Sequence, residues 1–294
     1  SMFSLPTTSS PSDTGVSSVR VDEFAPVSTV NADGGGTVAF ECTSPANSFW
    51  CPRLSYFNFR LKVTSRDGSG NKIALTSADA ADDDSVSAGT VQFRSYPAAA
   101  CVQSFSHSIN GVTVETISDV QETASFLNRT GMSYEYARTA GNSLYRLAGK
   151  DGLRNSESAD PGGALQPWNG GNGSTNTKTT FDCGFLPPSG VFSMPGTIPG
   201  GRHRFVLTLN NDLRTKAMIM DTDRSELTAS TQNYVYCEIE EVRFHMCHLV
   251  PDAPVPVPRN VVLSIHPLTV VKSSLSSTGG SSTHTLSVPP STDR

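Results

Sequence analysis

Residues 187–209, PPSGVFSMPGTIPGGRHRFVLTL, contain the pattern that decides the fold. A proline pair, a short apolar run and a Pro-Gly-Gly turn lead into a segment of alternating character. Phe205 and Leu207 share one parity, whereas Arg204 and Thr208 share the other. Such alternation is typical of a β-strand with one face in a core and the other in contact with water. The stretch therefore predicts a scaffold strand rather than a reaction centre.

Residues 55–64, SYFNFRLKVT, show the same alternation, with Phe57, Phe59, Leu61 and Val63 on one face. Aromatic and β-branched residues at period two are enriched in half-buried strands. The turn sequence DGSG follows, so we predict a second strong strand that ends there.

Residues 103–117 predict a β-hairpin. The runs SFSHSI and VTVETI flank Asn110 and Gly111, and Asn-Gly between two alternating runs is the strongest short-range hairpin signal. The period then becomes helical, and Ser118 with Gln121 forms a predicted capping box for the helix that follows.

Residues 234–249, YVYCEIEEVRFHMCHL, predict a long strand with a defect in its alternation. The apolar residues Ile239 and Val242 have opposite parity, so a regular strand would place them on opposite faces. A β-bulge at Glu240 and Glu241 would return both to one face, and we predict a bulge there.

Weaker patterns complete the prediction. Short strands are expected at 19–24, 37–42, 216–220, 261–271 and 283–288, a second helix at 133–140, and a surface or interaction loop at 149–180.

This series of strands predicts a mainly β fold: an antiparallel jelly-roll β-sandwich with a short helical excursion. Residues 1–18 are expected to be a flexible N-terminal arm and residues 19–250 the jelly-roll domain. Residues 251–260 form a proline-rich linker, and residues 261–294 a C-terminal strand and arm.

The composition excludes several classes of protein. The 294 residues include 24 glycines and 19 prolines, and only 17% are charged, which excludes a coiled coil or a highly charged disordered chain. The net charge of −5 gives no overall attraction for nucleic acid, so we expect none to be bound specifically. No apolar run approaches the roughly 20 residues that a membrane-spanning helix needs.

The six cysteines are too sparse for a scaffold built on disulfides, and free thiols are predicted. Cys42 with Cys51, or Cys101 with Cys183, remain the alternative pairs if the compartment is oxidising. No Cys-x-x-Cys pair indicates a zinc site.

His245, Cys247 and His248 form the densest group of metal-ligating residue types. On a strand, however, His245 and Cys247 point to one side and His248 to the other. The acidic run at 78–84 lacks the ligand order and the glycine of a calcium loop. We predict no metal site.

Glu238, Glu240 and Glu241 are candidates for a glycosidase carboxylate pair, but that chemistry needs two carboxylates facing each other across a cleft. The sequence supplies no opposing partner, and an exposed strand with a bulge accounts for the three residues. Nucleophile-elbow, phosphate-loop and zinc-protease motifs are missing from the sequence. We predict no catalytic and no cofactor-binding residue.

Phe49, Trp50 and Trp168 are the candidates for an aromatic platform that binds sugar, and anchoring onto the core is the alternative reading. Asn128 and Asn172 lie in glycosylation sequons, which also occur by chance.

Three segments resemble the double jelly-roll major capsid proteins of polintons, virophages and adintoviruses. They are residues 55–64, residues 104–128 and residues 190–212; in the second, the Asn-Gly turn and Glu115 carry the match. The resemblance implies a structural capsid subunit, not an enzyme, that assembles into trimeric capsomers and a viral shell. It also implies penton or minor capsid proteins as partners, and a place in the virion after synthesis in the host cytoplasm or nucleus.

Proteins of this family are usually much longer. Residues 19–250 correspond to one roll, and residues 261–271, VVLSIHPLTVV, to the start of a second. The chain is therefore either a truncated or processed double jelly roll or a single-roll relative. By analogy, residues 149–180 would form a tower or a loop between subunits.

Two other functions are compatible with a β-sandwich. An extracellular carbohydrate-binding or adhesive module would have intact disulfides and an exposed tryptophan platform. A jelly-roll enzyme of the cupin type would need histidines clustered with a carboxylate at metal-binding spacing, whereas the six histidines are scattered along the sequence.

Overall fold

The computed structural model describes residues 15–45, 47–66, 69, 71–73, 91–93, 96–131, 180–220 and 234–256. The predictions for the acidic run, the second helix, Trp168, Asn172 and the segments after residue 256 lie outside these ranges, as does most of the 149–180 loop.

The described residues form thirteen strands and three short helices. The strands are β1 (Val16–Phe24), β2 (Thr37–Thr43), β3 (Phe49–Trp50), β4 (Tyr56–Arg66), β5 (Lys72–Ile73), β6 (Val91–Phe93), β7 (Val102–Ile109), β8 (Val112–Ser118), β9 (Thr180–Phe185), β10 (Ile198–Pro199), β11 (Arg202–Leu209), β12 (Met218–Met220) and β13 (Tyr234–Pro251). The helices are α1 (Pro97–Ala100), α2 (Val120–Gly131) and α3 (Leu213–Ala217), and a 3₁₀ turn covers Pro52–Leu54.

Eight longer strands form two antiparallel sheets. The first sheet contains β1, β13, β4 and β9 in that order, extended by β3, β5 and β10, and the second contains β2, β11, β7 and β8. Among these eight, the first strand pairs with the eighth, the second with the seventh, the third with the sixth and the fourth with the fifth. Rolling one long hairpin onto itself produces this nesting, which is the jelly-roll arrangement. The predicted fold class is confirmed.

Strands β4 and β11 both bury the apolar face that the sequence predicts, and they do so in one core. Phe57 and Phe59 on β4, and Phe205 and Leu207 on β11, are fully buried. The rings of Phe57 and Phe205 lie 5.8 Å apart and meet edge to face, although they belong to different sheets. Burying one such side chain stabilises the fold by about 1.5–3 kcal/mol relative to leaving it exposed.

The predicted hairpin is present, and its turn explains its sequence. Asn110 and Gly111 have φ values of 50° and 83°, as a two-residue turn of type I′ requires. The helix after it begins at Val120, and Asp119, at φ 54°, makes the transition from the strand. The predicted capping box at Ser118 is wrong, because Ser118 is still the last residue of β8.

The predicted bulge in β13 is confirmed. Ile239 pairs with Leu61 and Glu241 with Arg60, so Glu240 is the extra residue. Ile239 and Val242 are both buried as a result.

Several strand boundaries differ from the prediction, among them those of β1 and β12. β1 begins at Val16 rather than at residue 19, because the longer β13 provides a pairing partner as far as Pro251. The strand expected at 216–220 is limited to Met218–Met220, because α3 occupies the residues before it.

Candidate functional site

β1 forms an edge of the first sheet. It pairs along its length with β13, which is its one strand partner in the described part of the chain. Val19 and Val21 are 60% and 57% exposed, whereas Arg20 and Asp22, on the other parity, form an ion pair of 2.6 Å. We call Val19 and Val21 the β1 edge surface. Two exposed apolar residues on an edge strand are unfavourable in water, and another chain could cover them.

Charged side chains of alternating sign cross the outer face of the same sheet. Asp182 on β9 lies 3.1 Å from Arg60 on β4, and Arg60 lies 3.4 Å from Glu241 on β13. Arg243 pairs with Glu241 and lies 3.6 Å from Glu23 on β1. Water screens exposed ion pairs of this kind, so they contribute little to the stability of the sheet.

A buried carboxylate connects the second sheet to the segment before β10. Glu115 on β8 is 4% exposed; it accepts a hydrogen bond from the Ser189 hydroxyl and one of 2.9 Å from the Gly190 amide. The Ser189 oxygen in turn accepts from the Val191 amide at 3.1 Å. Through these contacts, the buried Ser189 hydroxyl holds its segment against β8.

Three fully buried histidines lie at the interface of the two sheets. His107 on β7 and His203 on β11 share a hydrogen bond of 3.2 Å between Nε2 and Nδ1. Trp50 packs edge-on against both rings, at 4.5 Å from His203 and 5.6 Å from His107. His248 on β13 is the ladder partner of Trp50. We call His107, His203 and His248 the histidine cluster.

The surroundings of the histidine cluster favour neutral imidazole rings. Burial and the neighbouring His203 lower the pKa of His107 to about 3. Burial and His248 lower the pKa of His203 to about 4, and burial also lowers the pKa of His248, although Asp22 opposes that shift. Among the described residues, His107 Nδ1, His203 Nε2 and His248 Nδ1 have no hydrogen-bond partner.

The sequence-predicted group of His245, Cys247 and His248 separates as expected. His245 is half-buried and stacks on Tyr56 at 4.8 Å, whereas His248 is buried on the opposite face. No three His, Cys, Asp or Glu residues within the described ranges are placed to hold a metal ion.

The candidate carboxylates have three different surroundings. The predicted exposure is wrong for Glu238, which is buried and accepts a hydrogen bond of 3.2 Å from the Thr64 hydroxyl. Glu240 is exposed at the bulge, and Glu241 belongs to the row of ion pairs on the outer face.

The candidate aromatic platform at Phe49 and Trp50 is buried, so the core-anchor reading is confirmed for both residues. Trp50 Nε1 donates a hydrogen bond of 2.9 Å to the Ser55 hydroxyl, whose oxygen also accepts one from the Cys247 amide. These contacts hold β3 against β13. The sequon residue Asn128 lies within α2.

All six cysteines lie in the described ranges and are free thiols, as predicted. Burial raises the pKa of Cys42 to about 12 and raises that of Cys101 well above its usual range. Deprotonation is therefore unfavourable, and these thiols pack as apolar groups. No helix within the described residues is long and apolar enough to span a bilayer.

Sequence comparison gives no match, either to a protein-family model or to a curated protein. Comparison with solved structures does give matches. A chain of the Sputnik virophage structure matches with a TM-score of 0.52 at 16% identity, over 83% of this chain and 50% of that one. The mavirus major capsid protein matches with a TM-score of 0.48 at 14% identity, over 81% of this chain and 48% of that one. The faustovirus major capsid protein matches with a TM-score of 0.42 at 10% identity, over 80% and 54%.

The fold is thus a jelly roll that is shared with a chain of the Sputnik virophage structure. The resemblance predicted from the three sequence segments is confirmed at the level of the fold. The chain spans about half the length of the solved structures that it matches.

Proposed function

We propose that this chain is a structural subunit of a viral capsid, which builds a shell by contacts with copies of itself and with other capsid proteins. The observation that carries the proposal is the jelly-roll nesting of strands, matched over 83% of the chain by a virophage structure. Its place would be the virion, after synthesis in the host cytoplasm or nucleus. Its role would be contact between subunits, with no catalytic step and no cofactor.

The packed interior supports a scaffold role. Trp50, Phe57, Phe192, Phe205 and Phe244 meet at ring separations between 4.5 and 6.3 Å. Aromatic rings at such distances interdigitate and fill the centre of the sandwich.

The β1 edge surface is the part of the described chain best suited to contact between subunits. Val19 and Val21 expose apolar area on a strand whose outer side can accept a further strand. We propose that a neighbouring copy covers this surface in a trimeric capsomer. Penton and minor capsid proteins would join the same shell.

The match to half of a longer chain supports the proposed domain organisation. Residues 19–250 would be one roll, residues 251–260 a linker, and residues 261–294 either the start of a second roll or a terminal arm. Residues 1–18 would be the N-terminal arm, of which Val16 onward is already within β1.

An extracellular sugar-binding module is the less favoured function. Such a module would present Phe49 and Trp50 to solvent, and both are buried. It would also have disulfides, whereas the six thiols are free.

Analytical ultracentrifugation and electron microscopy of the purified chain test the proposal. We expect trimers or multiples of trimers, and capsomers or shells as the concentration rises. A strict monomer under every assembly condition would contradict the capsid role.

A further inference from the structure

The histidine cluster joins the two layers of the sandwich. His107 and His203 belong to the second sheet, and His248 belongs to the first. Trp50, also in the first sheet, contacts the rings of the other two. A change in the charge of these rings therefore acts on the contact between the sheets.

The hydrogen bond between His107 and His203 sets a limit on protonation. One proton lies between Nε2 of His107 and Nδ1 of His203, which are 3.2 Å apart. When both rings are fully protonated, an N–H on each side faces the other and the bond cannot form. Two imidazolium charges would then lie side by side, because the ring centroids are only 5.5 Å apart.

Two neighbours of this pair provide little compensation for added charge. Glu115 lies opposite His107 in the ladder of β7 and β8, but Ser189 and Gly190 donate to both of its oxygens. Cys42 lies opposite His203 in the ladder of β2 and β11, and its thiol stays neutral because burial raises its pKa to about 12.

His248 has a different charged neighbourhood. Asp22 on β1 brings a carboxylate oxygen to 3.5 Å from His248 Nε2, and Arg20, the ladder partner of His248, pairs with that carboxylate. The attraction of Asp22 is therefore partly offset by Arg20, and burial still disfavours the imidazolium form of His248.

We propose that the histidine cluster is an acid-sensitive release built into the fold, which loosens the contact between the two sheets around Trp50 when protons enter. This inference is independent of the proposed capsid role, because it concerns the stability of the single chain.

The direction of the effect follows from linkage. The pKa values of His107 and His203 in the folded chain are about 3 and about 4, whereas the ordinary value is 6.5. Below pH 6.5 the unfolded chain therefore binds more protons than the folded chain, and stability falls as the pH falls. For each pH unit below 6.5, protonation of one of these histidines in the unfolded chain raises the unfolding equilibrium constant about tenfold. The two histidines together raise it about 100-fold per unit.

Carboxylates are protonated in a lower pH range than these histidines. Glu41, whose pKa Arg202 lowers from 4.5, loses its contribution only below that value. The interval from pH 6.5 to pH 4.5 therefore isolates the histidines.

Urea unfolding of the full chain at several pH values between 7.5 and 4.5 tests the proposal. We expect the steep fall below pH 6.5 in the wild-type chain and a clearly shallower fall in the double variant His107→Gln/His203→Gln, in which only His248 of the histidine cluster remains. His245→Gln is the matched control, since His245 lies on the opposite face of β13, and it should keep the wild-type slope. Equal slopes in the wild type and the double variant would overturn the proposal.

Nuclear magnetic resonance of the histidine rings gives a second measurement that does not depend on how the variant folds. In the folded wild-type chain at pH 5.5, the ring signals of His107 and His203 should be those of neutral imidazole. Protonation of both rings in the intact fold at that pH would also overturn the proposal.

Discussion

The hydroxyl of Ser189 donates a hydrogen bond to the buried carboxylate of Glu115, 74 residues earlier in the chain. Together with the Gly190 amide, it fixes the proline-rich segment before β10 onto β8. Glu115 lies within one of the segments that resemble capsid proteins in sequence, and Gly190 is the first residue of another, so the Glu115–Gly190 hydrogen bond joins two of those segments. Glu115 therefore has a structural reason to be a carboxylate.

Replacing Glu115 by Ala should lower the free energy of unfolding by about 1–3 kcal/mol, because the buried Ser189 hydroxyl and the half-buried Gly190 amide lose their acceptor. Glu115→Gln keeps one acceptor oxygen and should cost less. Urea denaturation measures both changes. Glu23→Gln is the control: it removes an exposed carboxylate paired to Arg243 and should change stability by less than about 1 kcal/mol. An equal effect of Glu115→Ala and Glu23→Gln would contradict a stabilising role for the hydrogen bonds of Glu115 with Ser189 and Gly190.

Gly34 and Gly111 provide a test of backbone strain against steric space. Both have φ of 83°, yet a Cβ on Gly111 meets nothing within 4 Å, whereas a Cβ on Gly34 would lie 2.9 Å from Leu213 Cγ and still closer to the carbonyl oxygen of Asn210. Gly111→Ala should cost about 1 kcal/mol from backbone strain alone. Gly34→Ala should cost about 1–3 kcal/mol more, because β2 and β11 must also shift.

Thermal unfolding followed by circular dichroism compares the two glycine variants under one condition. Gly111→Ala should lower the midpoint slightly, and Gly34→Ala should lower it several times as much. Equal shifts would mean that the contact with Asn210 and Leu213 does not constrain the fold.

The sequence predicts those parts of the fold that local patterns determine. Alternation assigns Phe57 and Phe205 to the core, the broken alternation places the bulge at Glu240, and Asn110 with Gly111 marks the hairpin. By the same alternation, His107 lies on the strand face of Phe105, and His203 on that of Phe205. The burial of both histidines could therefore have been predicted.

The contact between His107 and His203 could not be predicted in this way. It depends on the register in which β7 pairs with β11, and the residues are 96 positions apart. The contact between Glu115 and Ser189 could not be predicted either, because no local sequence pattern links a strand to a distant loop. Register is determined by the whole sandwich once both sheets bury their apolar faces.

The six thiols should differ in reactivity in a way that follows their burial. Cys51 is partly exposed, whereas Cys42, Cys101 and Cys183 are fully buried. Iodoacetamide at pH 8 should label Cys51 in the folded chain and leave these three unlabelled, because burial blocks access and disfavours the thiolate. Mass spectrometry after labelling in urea without reductant should show six adducts. A disulfide would instead remove two adducts and leave the mass of the chain itself two units below that of the fully reduced chain. This result would support the extracellular alternative.

The β1 edge surface should control assembly without controlling folding. Val19→Lys/Val21→Lys adds two charges to a surface that is exposed in the single chain, so the free energy of unfolding should change by no more than about 0.5 kcal/mol. In a capsomer the same charges would be buried against a neighbouring copy, and association should weaken at least tenfold, or about 1.4 kcal/mol. Sedimentation velocity across a concentration series measures that shift. Val112→Lys is the matched control, because Val112 is 67% exposed on β8 in the other sheet. If the Val112 variant weakens association as much as the β1 variant, the contact between subunits lies elsewhere.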